Sequence, residues 1–307
     1  MKIPTEKLTY EEWKALRRKG IGGSDAAAAL GLSRWKSPLR LYLEKIGEVE
    51  SDADTEAAYW GNILEDIVAK EFERRTGKKV QRVNAILIHP KYEWMLANID
   101  RKVVGENALL ECKTTSEWNK AEWKDDEIPQ EYIFQLQHYL AVTGYEKAYI
   151  AVLIGGNKFI WKEVARDNEL IEMIIEGEKK FWEKVVSRTP PDLDGSKDAA
   201  EILKYLYPKA EEGTSIELPA YESLVDEIVS LNKQIKQLEE LKAEKENKLK
   251  EAMGEHETAI VGKYKVTWKN ITSNRFDSRT FKKEYPDLYA KFVETSTYRR
   301  FSIKEEE

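Results

Sequence analysis

One stretch of the sequence decides the fold: NIDRKVVGENALLECK, residues 98–113. Two apolar runs flank a Gly-Glu-Asn turn at residues 105–107, a pattern typical of adjacent antiparallel strands. Residues i and i+2 of a strand face the same side, so Glu111 and Lys113 project together while Cys112 points into the opposite layer. If Asp100 ends the neighbouring strand, its carboxylate meets that of Glu111.

This arrangement indicates a metal site. Two carboxylates at close range repel each other, so a cation or a shared proton is needed to stabilise the pair. The backbone carbonyl of Cys112 offers a further oxygen ligand. Lys113 would lie beside the ion, where an amine can position or deprotonate a water aimed at a phosphorus atom and offset charge on the phosphoryl oxygens.

The flanking sequence predicts an α/β or α+β core with a mixed central sheet between helices. We expect the apolar runs at residues 80–88 and 95–99 to join the 98–113 stretch in a three-stranded meander. The remaining expected elements, in chain order, are a helix before the meander and then a helix, two strands and a helix after it: Thr55–Arg75, Gln130–Val142, Lys147–Ile154, Lys158–Val164 and Asn168–Val186.

Composition narrows the chemistry. The chain has 307 residues, with 50 basic and 56 acidic side chains and a formal charge of -6. Its one cysteine and three histidines exclude an internal disulfide and argue against zinc or iron–sulfur sites, so any metal is expected to have oxygen ligands, as Mg²⁺, Mn²⁺ or Ca²⁺ does. No apolar run approaches the roughly 20 residues that span a bilayer, so we expect a cytoplasmic protein.

Pro190-Pro191 and the polar residues after it suggest a boundary between a domain at 1–190 and an extension at 191–307. Within the extension, apolar residues from Tyr221 to Ala252 alternate at spacings of three and four, which is coiled-coil spacing. This pattern leaves open a self-associating coil or a helical hairpin. A β-hairpin across Gly262 and a basic-aromatic tail are expected to follow.

A second motif, RRKGIGGSD at residues 17–25, has the chemistry of an anion site. Ser24 is a good N-cap for the alanine-rich segment after it, and a helix N-terminus presents free N–H groups to an anion. Arg17 could add a bidentate contact. The nearby Arg34, Trp35 and Lys36 form a basic-aromatic loop that either stacks on the end of a duplex or is simply solvated.

Taken with Glu65 on the preceding helix and with Gln135-x-x-x-Tyr139 on the following one, Asp100 and Glu111-x-Lys113 resemble the RecB-like branch of the PD-(D/E)xK nucleases. With Arg17 and Ser24-Asp25 added, residues 13–186 look like the YqaJ and phage lambda-type alkaline exonucleases, which have a restriction-endonuclease-like core. Ile99 replaces the conventional proline before the aspartate and leaves the carboxylate ligand intact.

The resemblance implies a role for each residue. Glu65, Asp100, Glu111 and the Cys112 carbonyl would bind one or two Mg²⁺ or Mn²⁺ ions, and Lys113 would serve the attacking water. Gln135 would touch the scissile strand or the water, with Tyr139 supporting the site. Arg17 and Ser24 would bind a 5′ phosphate, with Arg34, Trp35 and Lys36 as candidate DNA contacts.

Plainer interpretations stay open at two positions. Glu65 could be an ordinary exposed helix carboxylate, and Gln135 could bridge a helix contact.

The function that the resemblance implies is an Mg²⁺-dependent exonuclease that degrades linear double-stranded DNA from 5′ to 3′. Its partners would be DNA ends and a single-strand annealing protein. The resemblance also implies a bacterial cell that carries a phage or prophage, and it allows a ring trimer as the assembly. The alternatives are another RecB-like nuclease, Cas4-like or a restriction endonuclease, and a non-catalytic scaffold that binds DNA or a partner. The single cysteine argues against Cas4, which needs a four-cysteine cluster.

Overall fold

A computed structural model describes residues 1–50 and 55–305. By its internal contacts the chain divides into two compact units, Met1–Leu206 and Tyr207–Glu307. None of the helices in the described ranges is both long and apolar enough to cross a membrane.

The first unit holds most of the regular structure. Its helices are α1 (Tyr10–Arg18), α2 (Ala26–Ala29), α3 (Pro38–Ile46), α4 (Glu56–Thr76), α5 (Gln130–Thr143), α6 (Asn168–Val186) and α7 (Lys197–Leu206), with short 3₁₀ helices at Gly23–Asp25 and Glu117–Trp123. Its strands are β1 (Lys2–Pro4), β2 (Ile21–Gly22), β3 (Val80–Arg82), β4 (Ala85–Ile88), β5 (Met95–Ala97), β6 (Arg101–Val103), β7 (Ala108–Thr115), β8 (Lys147–Ile154) and β9 (Lys158–Ala165).

A five-stranded mixed sheet, in the order β3-β6-β7-β8-β9, forms the centre of this unit. β7 and β8 are parallel, as expected for strands joined by a crossover helix, and the other neighbours are antiparallel. α4 packs on one face of the sheet through Val68 and Phe72, and α5 packs on the other through Leu136 and Leu140. The predicted mixed sheet flanked by helices is confirmed.

The predicted three-stranded meander is wrong. The run at residues 80–88 breaks into β3 and β4, and these strands enter different sheets. β4 and β5 belong to a four-stranded sheet, in the order β1-β4-β5-β2, because the N-terminal strand β1 pairs with β4 and β2 pairs with β5. The hairpin of β6 and β7 is the part of the meander that forms, with Arg101 opposite Leu110.

The first unit extends past the boundary that we expected at residue 190. Helix α7 belongs to it because Ala199 and Ile202 are buried, and Ile202 joins an apolar cluster with Leu41 and Phe181. Asp198 of α7 also accepts hydrogen bonds from the backbone N–H of Ser37 and from the guanidinium of Arg40. Packing therefore places the edge of this unit at Leu206.

The second unit contains helix α8 (Glu222–Met253), strands β10 (Thr258–Val261) and β11 (Tyr264–Thr267), and two short helices, α9 (Ser278–Glu284) and α10 (Pro286–Phe292). β10 and β11 pair across Gly262 as the predicted β-hairpin. α8 runs without interruption for 32 residues, so a helical hairpin does not form within residues 222–253. The apolar residues that we predicted to form a coiled-coil seam are exposed at several positions: Leu224, Leu231, Ile235, Leu238 and Leu249.

Candidate active site

The β6–β7 hairpin brings Asp100 and Glu111 together. Asp100 immediately precedes β6, and its Oδ2 accepts a hydrogen bond of 2.8 Å from the backbone N–H of Cys112 on β7. The side chain of Cys112 faces away and packs with the apolar cluster beneath α4, as the alternation of the strand predicts. Glu111 is buried on the opposite face of β7.

Lys113 lies beside the two carboxylates. Its Nζ is 2.7 Å from Oε1 of Glu111, and it sits 5.2 Å from the ring centroid of Tyr132. Burial by itself would lower the pKa of Lys113, but the negative charges of Glu111 and Asp100 raise it well above its ordinary value. In the absence of a cation, Lys113 is therefore held as an ammonium ion.

Helix α5 supplies Gln135 and Tyr139, one helical turn apart. The Gln135 amide nitrogen donates to Glu111 Oε1 at 2.7 Å and to the Tyr139 hydroxyl at 3.0 Å. Gln137 lies elsewhere, with its amide oxygen accepting from Asp167 N–H. The structure therefore brings Gln135 into the carboxylate cluster and places Tyr139 directly behind it.

Glu65 is close to the cluster but is engaged by arginines. Its carboxylate contacts the buried guanidinium of Arg101, which also reaches Asp66, and it lies 3.4 Å from Arg82. Glu65 is the better shielded of the two neighbours on α4, with 23% of its side chain exposed against 59% for Asp66. Glu65 is thus a partly buried, ion-paired carboxylate next to Asp100 rather than a freely solvated one.

The chemistry of the donor set fits a hard cation. Oε2 of Glu111 is buried and has no hydrogen-bond partner in the part of the chain that the structure describes. Burial, followed by the charges of Glu111 and Glu65, raises the pKa of Asp100 well above its usual range, and burial also raises the pKa of Glu111. Oxygen ligands carrying unneutralised charge are what Mg²⁺ prefers. Within the described residues, no three His, Cys, Asp or Glu side chains are already arranged to hold a metal ion, and Glu65 is held by Arg101.

The second motif forms a cavity of about 310 Å³, lined by residues that include Arg17, Ser24 and Lys36. Arg17 donates a 3.0 Å hydrogen bond to Oγ of Ser24 and lies over the Trp13 ring. The structure therefore brings together both residues that we predicted to bind a phosphate.

The predicted N-cap role of Ser24 is wrong. Ser24 lies inside the 3₁₀ helix Gly23–Asp25, and α2 behind it is only four residues long. The side chain of Asp25, not that of Ser24, accepts a local backbone hydrogen bond, from the N–H of Gly22. Ser24 therefore does not cap α2.

Gly23 connects the cavity to the carboxylate cluster. A Cβ atom at this position would lie 2.4 Å from Cε1 of Tyr139, so only glycine allows this close approach. The ring that backs Gln135 thus packs directly against the chain that carries Ser24. Gly23 of the Gly22-Gly23 pair therefore allows this close packing of the two motifs.

The basic-aromatic loop is more constrained than a solvated loop. Arg34 forms a two-bond pair with Glu122 at 2.6 and 2.7 Å and lies 3.0 Å from Glu131. Trp35 remains 54% exposed and stacks with Arg34. Lys36 faces the cavity of Arg17 and pairs with Glu44.

The sequence did not predict the contacts of two charged residues in this region. Arg101 binds Glu65, and Lys45 lines the Arg17 cavity beside Asp25. In the sequence, the one indication of these contacts is a basic residue at a position expected to be buried. Arg101 directly follows Asp100 in a short strand, and Lys45 lies in the last turn of α3.

Comparison with known proteins agrees with this architecture. A profile of the YqaJ-like viral recombinase domain matches residues 12–146. The uncharacterized protein YqaJ of Bacillus subtilis is 50% identical over 303 residues, covering 97% of this chain and 95% of that protein. The crystal structure of an alkaline exonuclease from Laribacter hongkongensis aligns with a TM-score of 0.51 at 21% identity, covering 64% of this chain and 98% of that one. The same enzyme in complex with dAMP aligns equally well, at 22% identity.

Proposed function

The chain belongs to the YqaJ family, and from this premise we propose that it is an Mg²⁺-dependent exonuclease. It would degrade linear double-stranded DNA from 5′-phosphorylated ends in the 5′ to 3′ direction and leave 3′ single strands for phage-type recombination. The observation that carries the proposal is the convergence of Asp100, Glu111 and Lys113 at adjoining strands, with Gln135 bonded to Glu111.

Asp100, Glu111, the Cys112 carbonyl and Glu65 would hold one or two Mg²⁺ or Mn²⁺ ions. When bound, such an ion stabilises negative charge that develops on the phosphoryl oxygens. Arg101 would have to release Glu65 for this carboxylate to join the ligands. The Cys112 N–H fixes the orientation of Asp100, and the Gln135 amide fixes that of Glu111.

Lys113 would act on the substrate as a charged donor. Its ammonium group can hydrogen-bond a phosphoryl oxygen and orient the water that attacks the phosphorus atom in line with the leaving 3′ oxygen. Tyr139 keeps Gln135 on Glu111, and its burial excludes water from the back of the site. Arg17 and Ser24 would bind the 5′ phosphate and so set the direction of degradation.

The direct test uses purified protein with three duplex substrates in Mg²⁺: linear with 5′ phosphates, linear with 5′ hydroxyls, and covalently closed circular. We expect mononucleotides from the phosphorylated linear duplex, slower degradation of the hydroxylated one and no loss of the circle. Chelation by EDTA should stop all cleavage. Digestion of the closed circle would instead support a restriction-type endonuclease, and binding without cleavage would support the scaffold.

A single-strand annealing protein is the partner we propose, because a 3′ single strand is the substrate that such a protein binds. The second unit, with its exposed seam on α8, is available for self-association. Whether the assembly is the ring trimer suggested by the resemblance can be measured by light scattering of the full chain.

A further inference from the structure

Two ion pairs in the wall of the Arg17 cavity have no role in the function proposed so far. Eight charged residues line this cavity, among them the cations Arg17, Lys36 and Lys45 and the buried carboxylates Asp25 and Glu44. A cavity that binds an anion gains nothing from buried carboxylates unless they position the cations. The presence of two such carboxylates therefore calls for an explanation.

Lys45 is locked in place by Asp25. Only 6% of the Lys45 side chain is exposed, and its Nζ donates to Asp25 Oδ2 at 2.7 Å and to the Arg17 carbonyl at 3.1 Å. An ammonium group has three N–H donors, so these bonds leave one donor for a ligand in the cavity. Burial would raise the pKa of Asp25, but Lys45, Arg17 and Lys36 hold it well below its usual range, so Asp25 stays ionised.

Lys36 is held in the same way by Glu44. Lys36 Nζ lies 2.6 Å from Glu44 Oε2, and this bond leaves two of its N–H donors for a ligand. The other carboxylate oxygen, Glu44 Oε1, is buried and has no hydrogen-bond partner within the described residues. Buried polar atoms are nearly always paired, so this oxygen marks an unsatisfied place in the cavity wall.

These contacts give the cavity a fixed charge pattern. Arg17 of α1, Lys36 of the loop before α3 and Lys45 of α3 all line the cavity. Asp25 pairs with Lys45, and Glu44 pairs with Lys36. These two ion pairs keep the cations from moving apart under their mutual repulsion. A tetrahedral phosphate group offers acceptors in several directions and fits such a set of convergent donors.

We propose that Lys36 and Lys45 are additional ligands of the terminal 5′ phosphate, and that Asp25 and Glu44 are positioning residues that restrict the cavity to a monophosphate. This inference rests on the proposed function, since it specifies which DNA end the site accepts. A 5′-triphosphate carries two more anionic groups, and the two carboxylates would repel them. A 5′-hydroxyl end brings no negative charge to the cations of the cavity.

The test measures equilibrium binding of duplexes with 5′-hydroxyl, 5′-monophosphate or 5′-triphosphate ends in EDTA, where no cleavage occurs. Two double variants, Lys36→Gln with Glu44→Gln and Lys45→Gln with Asp25→Asn, each remove an ion pair without leaving a buried charge unpaired. Lys19→Gln, two residues from Arg17 but outside the cavity, is the matched control. Circular dichroism and thermal unfolding establish that each variant folds.

The wild type and Lys19→Gln should bind the monophosphate end about tenfold or more tightly than the hydroxyl end, since a charge-assisted hydrogen bond contributes roughly that much. In a folded double variant the ratio should fall, because binding of the monophosphate end weakens more than binding of the hydroxyl end. Equal weakening for all three ends would indicate a merely structural role and overturn the inference, as would an unchanged ratio. Glu44→Gln alone should improve binding of the triphosphate end relative to the monophosphate end, and no change there would overturn the positioning role.

Failure of this inference is distinguishable from failure of the proposed function. If the protein cleaves linear duplex but the double variants keep the wild-type preference, the nuclease stands and the role of the lysines falls. If the preference depends on the lysines but no DNA is cleaved in Mg²⁺, the cavity binds phosphorylated ends and the nuclease proposal falls.

Discussion

At the scale of single residues, Asp100 and Glu111 bury negative charge that the surrounding protein only partly neutralises. Lys113 and the Cys112 N–H compensate in part, yet the pKa of both carboxyls is raised, first by burial. Keeping such groups apart from water costs folding free energy unless a cation binds. A fold that retains this cost is expected where the charge serves binding or catalysis rather than stability.

Asp100→Asn tests this cost and the catalytic role together. Asparagine keeps the shape and can still accept the Cys112 N–H, but it removes the charge that a cation needs. We expect cleavage to fall by about 10²-fold or more, while the melting temperature without Mg²⁺ stays equal or rises because a buried charge is lost. Single-turnover cleavage rates and thermal unfolding in EDTA measure the two effects.

Glu106→Gln is the matched control for Asp100→Asn, because Glu106 lies in the turn of the same hairpin but pairs with Lys78 and Lys147 at its far end. It should cleave at close to the wild-type rate. Comparable loss in both variants would mean that the hairpin, not the carboxylate of Asp100, accounts for the effect.

A second residue-scale prediction concerns the glycine pair of the RRKGIGGSD motif. Gly23→Ala would drive a methyl group into the Tyr139 ring, whereas a Cβ at Gly22 would make only ordinary contacts, the nearest at 3.5 Å. Overpacking of this kind costs about 1–3 kcal/mol. We therefore expect Gly23→Ala to lower both the free energy of unfolding and the cleavage rate, since Tyr139 supports Gln135.

Gly22→Ala should leave both quantities near the wild-type values. Urea unfolding and cleavage of phosphorylated duplex distinguish the two variants. If Gly22→Ala were the more damaging, backbone conformation rather than the Tyr139 contact would explain the motif.

At the scale of elements, α5 and α6 are joined by a fully buried pair, His138 and Glu178. His138 Nδ1 lies 2.7 Å from Glu178 Oε1, and Nε2 lies 2.9 Å from the Leu96 carbonyl oxygen on β5. Each ring nitrogen of His138 faces an acceptor oxygen, and one of these acceptors is a carboxylate. This arrangement favours the imidazolium form of His138, with a proton on both nitrogens. Burial alone would lower the pKa of His138, but the charge and hydrogen bond of Glu178 raise it above its ordinary value.

This pair predicts a pH dependence of stability. A group whose pKa is raised on folding stabilises the protein fully below its unfolded pKa, and that stabilisation is lost as the pH rises through the folded value. The free energy of unfolding should therefore fall in the pH window above about 6.5, the ordinary pKa of histidine. In Glu178→Gln, burial lowers the pKa of His138 instead, so the slope in this window should disappear or reverse. An unchanged slope in the variant would assign the effect to other groups.

Local pattern was enough to predict part of this architecture and not the rest. The approach of Asp100 to Glu111 follows from a short hairpin and the two-residue period of a strand. By contrast, Arg101 meets Glu65 across a separation of 36 residues, and Lys45 meets Asp25 across 20. Strand β4 leaves the expected meander because its partner β1 is at the start of the chain. The spacing of apolar residues along the sequence does not predict such contacts between distant parts of the chain.

At the scale of the whole molecule, every residue that we place at the candidate active site or in the Arg17 cavity lies in the first unit, Met1–Leu206. A chain ending at Leu206 is therefore expected to fold alone and to cleave DNA. The pattern of prolines suggested a nuclease domain that ends at residue 190, whereas packing includes α7. The two possible ends differ in a measurable way.

A chain ending at residue 190 would lose Ile202 from the cluster of Leu41 and Phe181 and would leave Arg40 without Asp198. Burial of an isoleucine side chain is worth about 1.5–3 kcal/mol, so this chain should unfold at least that much more easily than the one ending at Leu206. Urea unfolding of both, with cleavage of phosphorylated duplex as the second measurement, decides where the domain ends. Equal stability would move the edge back to the prolines. Loss of cleavage in both would mean that the second unit, through self-association or DNA contact, is part of the working nuclease.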